Sequence, residues 1–174
     1  MTLTIRPAIL SDLPDLMRVH REAFGGDAEA DLTNALLQDS SGAPRISLAA
    51  IQNNAIVGHV LLTRLSVDDR QNGSAILCPL AIVPDAQGQG AGGLLIRAAQ
   101  AACADMGIDT ICVLGDPKYY GRFGFVTAIA KGLLPPFPLP PEYHTAWQVW
   151  PDHTERNGQC RAADALMKPG YWNA

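Results

Sequence analysis

Pro84-Asp85-Ala86-Gln87-Gly88-Gln89-Gly90-Ala91-Gly92-Gly93 joins an apolar run, Ala75 to Val83, to a helical pattern over residues 90–106. Glycine has no Cβ, so the backbone can take positive φ and a ligand can come close. The first N–H groups of the following helix lack internal acceptors. Together these properties make a cradle for an anion such as a pyrophosphate. The helix dipole adds about 0.3–1 kcal/mol for a negative group at an exposed N-terminus.

Working outward, Ala75 to Val83 reads as a strand buried on both faces. Pro79 interrupts it, and because proline cannot donate to a ladder the strand must bulge or part from a neighbour there. The helix is expected to bury Leu94, Leu95, Ala98, Ala102 and Met106 on one face and to close at Gly107. Thr110 to Leu114 follows as a strand, so strand, helix and strand form a right-handed parallel crossover.

Upstream, residues 3–6 predict a strand. Ser11 or Asp12 caps a helix carrying Leu13, Leu16, Met17, His20 and Phe24, which Gly25-Gly26 ends. A second helix spans about residues 28–38. Residues 46–52 and 55–65 form a hairpin across Asn53-Asn54, residues that tolerate positive φ. Downstream, the prolines of residues 133–141 impose an extended crossover, and Trp147 and Trp150 fall on opposite faces of one strand. The expected fold is α/β: one domain over residues 1–174, with a mixed, mostly antiparallel sheet of about six or seven strands flanked by helices.

Composition narrows the function. At 174 residues, 48% hydrophobic and 17% charged, the chain is an ordinary globular length and composition. A net charge of -4 and only 6% aromatic residues disfavour a nucleic-acid partner, which needs basic patches and stacking rings. There is no apolar run of membrane-spanning length, and MTLTIRPA does not read as a signal peptide, so a cytoplasmic protein without a membrane partner is expected. Cys78, Cys103, Cys112 and Cys160 have no zinc-site spacing, so no metal is expected and they read as reduced thiols. A catalytic cysteine, the minor alternative, needs a histidine partner.

The glycine turn admits two readings. Gly88, Gly90 and Gly93 satisfy the dinucleotide pattern G-x-G-x-x-G, but residues 84–87 separate the first glycine from its strand and only one crossover is evident. Gln87, Gly90 and Gly92 also fit Q-x-x-G-x-G. With the opening TIRPA, the hairpin and Tyr119-Tyr120-Gly121-Arg122-Phe123-Gly124-Phe125, the chain resembles the GNAT superfamily of acyl-CoA-dependent N-acyltransferases over about residues 3–126.

The resemblance implies an enzyme that moves an acetyl group from acetyl-CoA, its co-substrate, to a small-molecule or protein amine. The pyrophosphate would lie on Gln87, Gly88, Gln89, Gly90, Ala91, Gly92 and Gly93, and the pantetheine arm along Leu80, Ala81 and Ile82. Tyr120, four residues before Gly124, matches the family's general acid, with Tyr119 beside it as a packing residue. A phenol near pKa ~10 can protonate a departing thiolate and stay un-ionised at neutral pH. His59, Asp85 and Asp116 are candidate bases, each with a structural alternative: sheet hydrogen bonding, a solvated loop charge and a helix cap. Residues 127–174 would complete the sheet and the acceptor site. An acyl-CoA-binding module without turnover is the rival reading, a nicotinamide enzyme the third, and exposed sheet edges leave a homodimer open.

Overall fold

The computed structural model describes residues 2–173. The chain runs β1 (Thr4–Pro7), α1 (Leu13–Phe24), α2 (Ala28–Gln38), β2 (Ile46–Gln52), β3 (Ala55–Arg64), β4 (Ser66–Val67) and β5 (Ser74–Ile82). It continues through α3 (Ala91–Asp105), β6 (Thr110–Leu114), α4 (Pro117–Tyr120), β7 (Val126–Thr127), β8 (Leu133–Leu134), β9 (Trp147–Trp150) and β10 (Gly158–Arg161).

Local chemistry sets the boundaries. The α1 helix starts behind Asp12 with proline in its first turn, and it ends because Gly25 takes φ 71° and turns the chain out of the helix. Asn53 at φ 53° and Asn54 at φ 62° form the two-residue hairpin turn between β2 and β3. Gly107, at φ 74°, follows the end of α3.

Seven strands lie in the order β1-β2-β3-β5-β6-β9-β7, and only β5 and β6 are parallel within that sheet. The architecture is therefore α/β with a mostly antiparallel sheet. A small second sheet, β4-β10-β8, brings the C-terminal segment back against the middle of the chain. Val60, Leu62, Leu77, Ile111 and Val113 pack under α3 on one face, and Leu61, Ile76, Cys112, Trp147 and Val149 pack on the other with α2. Trp147 and Trp150 divide between the two cores, as their spacing predicts.

The α3 helix turns a different face inward from the one its pattern suggests. Leu95, Ile96, Ala99 and Cys103 are buried, while Leu94 is 44% and Met106 48% exposed. Alanines and glycines occupy so much of this helix that its apolar stripe has no sharp edge, and tertiary contacts choose the phase.

Pro79 marks the feature that shapes the site. On the β3 side, Leu62 pairs with Leu77 and Val60 with Leu80, so Cys78 and Pro79 together face Leu61. This is a bulge. On the other side, β6 pairs with Ser74, Ala75 and Ile76 and then departs. From Leu77 onward β5 has an edge with no β6 partner.

Candidate active site

Along that open edge runs a cleft of about 490 Å³. Its walls include residues 80–82 and all of residues 87–93 except Gln89, so nine of the ten binding positions expected from sequence meet in one space. The backbone explains why. Val83 donates its N–H to the Val57 carbonyl of β3 at 2.9 Å. Alternation then turns the amide groups of Leu80 and Ile82 to the opposite edge, into the cleft. The Ile82 carbonyl already accepts a bond from Gln87 Nε2 at 3.0 Å, which ties the loop to the strand. Gln89 points away, bonded to the Asp85 carbonyl and to Gln52.

Gly90 sits at φ 90° as the residue before α3, a conformation that costs a residue with a Cβ about 1 kcal/mol or more. The first bond inside the helix runs from Leu94 N–H to the Gly90 carbonyl, at 3.0 Å. The amides of residues 91–93 thus face outward from the helix start. Gly92 has a second role. A Cβ there would collide with the Tyr119 hydroxyl, so the missing methyl lets α4 dock on α3.

The adjacent tyrosines separate. Tyr119 lines the cleft, half-buried, and its phenol is raised by burial against an opposing effect of the Arg122 charge. Arg122 lies over the Tyr119 ring, 4.8 Å from its centroid, and brings a positive charge to the same wall. Tyr120 lies behind that wall, packed over Gly115 and edge to face with Phe125. Burial drives its phenol far above the ordinary value, with Tyr119 and Cys78 adding smaller pushes in the same direction. Tyr120 therefore lies outside the cleft lining.

The three candidate bases do not converge on the cleft. Asp116 caps α4, its Oδ1 accepting the Lys118 N–H at 2.9 Å. Asp85 is an exposed loop charge. His59 is wholly buried toward α1, where its Nδ1 shares a hydrogen bond with His20 Nε2 at 2.9 Å and its Nε2 another with Ser47 Oγ at 2.8 Å. Burial lowers His59 to about 3 and His20 to about 4, so both rings are neutral at physiological pH.

Ala23 and Phe24 at the end of α1 also line the cleft, which no sequence motif signalled. Arg122 is exposed, and its guanidinium is held over the rings of Tyr119 and Phe123, the aromatic residues that flank it closely in sequence. Among the described residues, no group of three or more His, Cys, Asp or Glu is placed to hold a metal ion, and no helix is long and apolar enough to cross a membrane.

Comparison with known proteins agrees with this geometry. Residues 13–125 match the family model described as the acetyltransferase (GNAT) family. The chain is 40% identical over 142 residues to the N-acetyltransferase YjhQ of Escherichia coli K12, covering 80% of this chain and 78% of that one. It is 30% identical over 127 residues to the N-acetyltransferase YhbS of the same strain, covering 72% and 75%. The crystal structure of E. coli YhbS in complex with CoA superposes with a TM-score of 0.85 at 26% identity, over 95% of this chain and 92% of that one. A Brucella melitensis acetyltransferase structure with acetyl-CoA shares the fold, at TM-score 0.77 and 23% identity, over 95% and 98%. By a family match that spans well over half its length and by its relation to YjhQ, the chain belongs to the GNAT acetyltransferase family.

Proposed function

We propose that this protein transfers an acetyl group from acetyl-CoA to a primary amine, with Tyr120 as the proton donor to the leaving sulfur. The observation that carries the reading is the single cleft joining the open β5 edge to the glycine turn. Its volume lies within the ~300–1,000 Å³ usual for ligand sites. The backbone of Leu80 and Ile82 would bond the pantetheine arm, and the amides of the glycine turn would receive the pyrophosphate, with Arg122 adding positive charge. The complex of YhbS with CoA and that of the Brucella enzyme with acetyl-CoA support this ligand.

Acetyl-CoA supplies an activated thioester, whose C–S bond breaks as the amine nitrogen bonds to the carbonyl carbon. Tyr120 gives its phenolic proton to the departing sulfur, and the surplus proton of the nitrogen returns through water to the Tyr120 oxygen, which restores the phenol. A buried phenol with a raised pKa keeps that proton through neutral pH. Four free cysteines suit a reducing compartment, and we place the activity in the cytoplasm.

The test is calorimetric titration with acetyl-CoA beside a Gly90→Glu variant, followed by free-thiol release with added amines. Binding that the variant loses, with turnover on an amine, supports the reading. No binding by the parent protein sinks it. The second reading, binding without turnover, is favoured by the close packing of Tyr120 over Gly115. It wins if acetyl-CoA binds and no added amine raises free-thiol release; turnover by Tyr120→Phe as fast as the parent removes the donor role of Tyr120 instead.

A further inference from the structure

A second cavity, of about 220 Å³, opens on the α2 face of the sheet against the same bulge. Its walls are Leu32 of α2, Ile76 and Pro79 of β5, Leu114 of β6, and Leu166 and Trp172 of the C-terminal segment. The two cavities meet on consecutive residues of one strand: Cys78 and Pro79 line this one, Leu80 the cleft. Tyr120 lines neither cavity, but its ring meets Tyr119 of the cleft and its phenol feels the Cys78 thiol of the second cavity. An acceptor seated here would approach the thioester from the face opposite the cofactor cleft.

The lining has a clear chemistry. It contains no Lys, Arg or His, and its one carboxylate is Glu29, in the first turn of α2. No ion pair among the described residues includes Glu29. Its charge reaches inward, since it helps burial push the Cys78 thiol up to about 12, where the thiol is neutral and neither attracts nor repels an ammonium. Tyr171, 38% exposed, stands at the rim.

Each lining feature excludes a class of acceptor. An amino acid would bring its own carboxylate toward Glu29 with no cation to receive it. A polyamine or aminosugar would press further ammonium or hydroxyl groups against Leu32, Leu166 and Trp172, where they have no partner and their burial is costly. The volume falls below the ~300 Å³ lower end for drug-sized ligands, which suits a small molecule.

We infer that this cavity is the acceptor site and that it selects small apolar monoamines, arylalkyl or short alkyl, whose ammonium is received by Glu29 while the hydrocarbon body packs on Leu32, Leu166 and Trp172. The inference rests on the acetyl-transfer reading above. Glu29 binds and orients the cation; it does not replace the proton donor.

The experiment measures acetyl-CoA turnover with 2-phenylethylamine, L-phenylalanine and spermidine, together with calorimetric binding of 2-phenylethylamine to the CoA-saturated protein. The expected result is a kcat/KM for 2-phenylethylamine about tenfold or more above the other two amines. Glu29→Gln should raise its KM about tenfold with kcat held within about twofold, and Glu29→Asp should recover part of the loss. Equal or better use of L-phenylalanine or spermidine overturns the inference and leaves acetyl transfer standing. So does an unchanged KM in Glu29→Gln, or acetyl-CoA binding with no turnover of 2-phenylethylamine. Failure to bind acetyl-CoA at all overturns the transfer reading itself, and this inference with it.

Discussion

The Tyr119 and Tyr120 rings meet edge to face, with centroids 5.0 Å apart and planes at 85°, so two neighbouring residues carry their hydroxyls to different places. Tyr119 reaches Gly92 at the start of α3, and Tyr120 packs over Gly115 at the end of β6. On the proposed donor role, Tyr120→Phe should lower kcat about a hundredfold or more while acetyl-CoA affinity holds. Tyr119→Phe should leave kcat nearly unchanged. Because burial lifts the Tyr120 phenol well above its ordinary value, it stays protonated as pH rises, and its ionisation should produce no fall in kcat below about pH 10. Equal losses in the two variants would remove the distinction between them.

Gly90 and Gly92 are glycines for different reasons, and substitution separates them. Gly90 has open space around a missing Cβ but holds φ 90°, so Gly90→Ala meets only backbone strain, about 1 kcal/mol of stability. Gly92 is constrained by the Tyr119 hydroxyl, so Gly92→Ala must displace that ring from the cleft wall. Thermal unfolding should register Gly90→Ala at least as strongly as Gly92→Ala. Acetyl-CoA titration should show the larger loss, about tenfold, in Gly92→Ala. The reverse order in the titration would mean that Tyr119 does not shape the cleft.

Features that depend on backbone chemistry were legible in the sequence. Asn53-Asn54, the glycine turn and Pro79 each demand a local geometry, and each is found as a hairpin, a helix start and a bulge. The phase of α3 was not legible, since a helix rich in alanine and glycine offers no clear apolar stripe. Nor was the second cavity. Leu32, Ile76 and Trp172 are brought together by sheet order, and nothing in the spacing of α2, β5 and the C-terminal segment states that they touch. His59 could be listed among candidate bases because its strand was clear, whereas its burial beside His20 depends on how α1 lies across the sheet.

Arg122 gives a test of the phosphate reading that does not require turnover. Its guanidinium sits over Tyr119 at 4.8 Å, exposed to water yet held at the cleft wall. Such a charge attracts an anion by an amount that salt screens. Arg122→Ala should weaken acetyl-CoA binding about threefold to tenfold at low ionic strength, with the gap narrowing at about 1 M salt. A constant gap across salt concentrations would point to lost packing on Tyr119 as the cause.

The buried His20–His59 pair predicts how the fold responds to acid. Burial lowers the two rings to about 4 and about 3, against an ordinary value near 6.5 in the unfolded chain. Above about pH 6.5 both rings are neutral folded or unfolded, and their contribution is fully present. As pH falls below that value the unfolded chain takes up protons that the folded chain refuses. Stability then declines by up to about 1.4 kcal/mol per pH unit for each histidine until the folded rings titrate. The Arg6–Asp12 ion pair acts in a lower window, because Asp12 is held down to about 2 by Arg6 and its contribution is lost only as pH falls from about 4 toward 2. Urea unfolding at pH 7.5 and pH 5 should therefore show a marked loss for the parent protein, and about half that loss in His20→Leu, which keeps one titrating ring. His20→Leu should also be less stable at pH 7.5, since His59 Nδ1 loses its partner at 2.9 Å. An unchanged difference between the two pH values in that variant would assign the acid sensitivity to other groups.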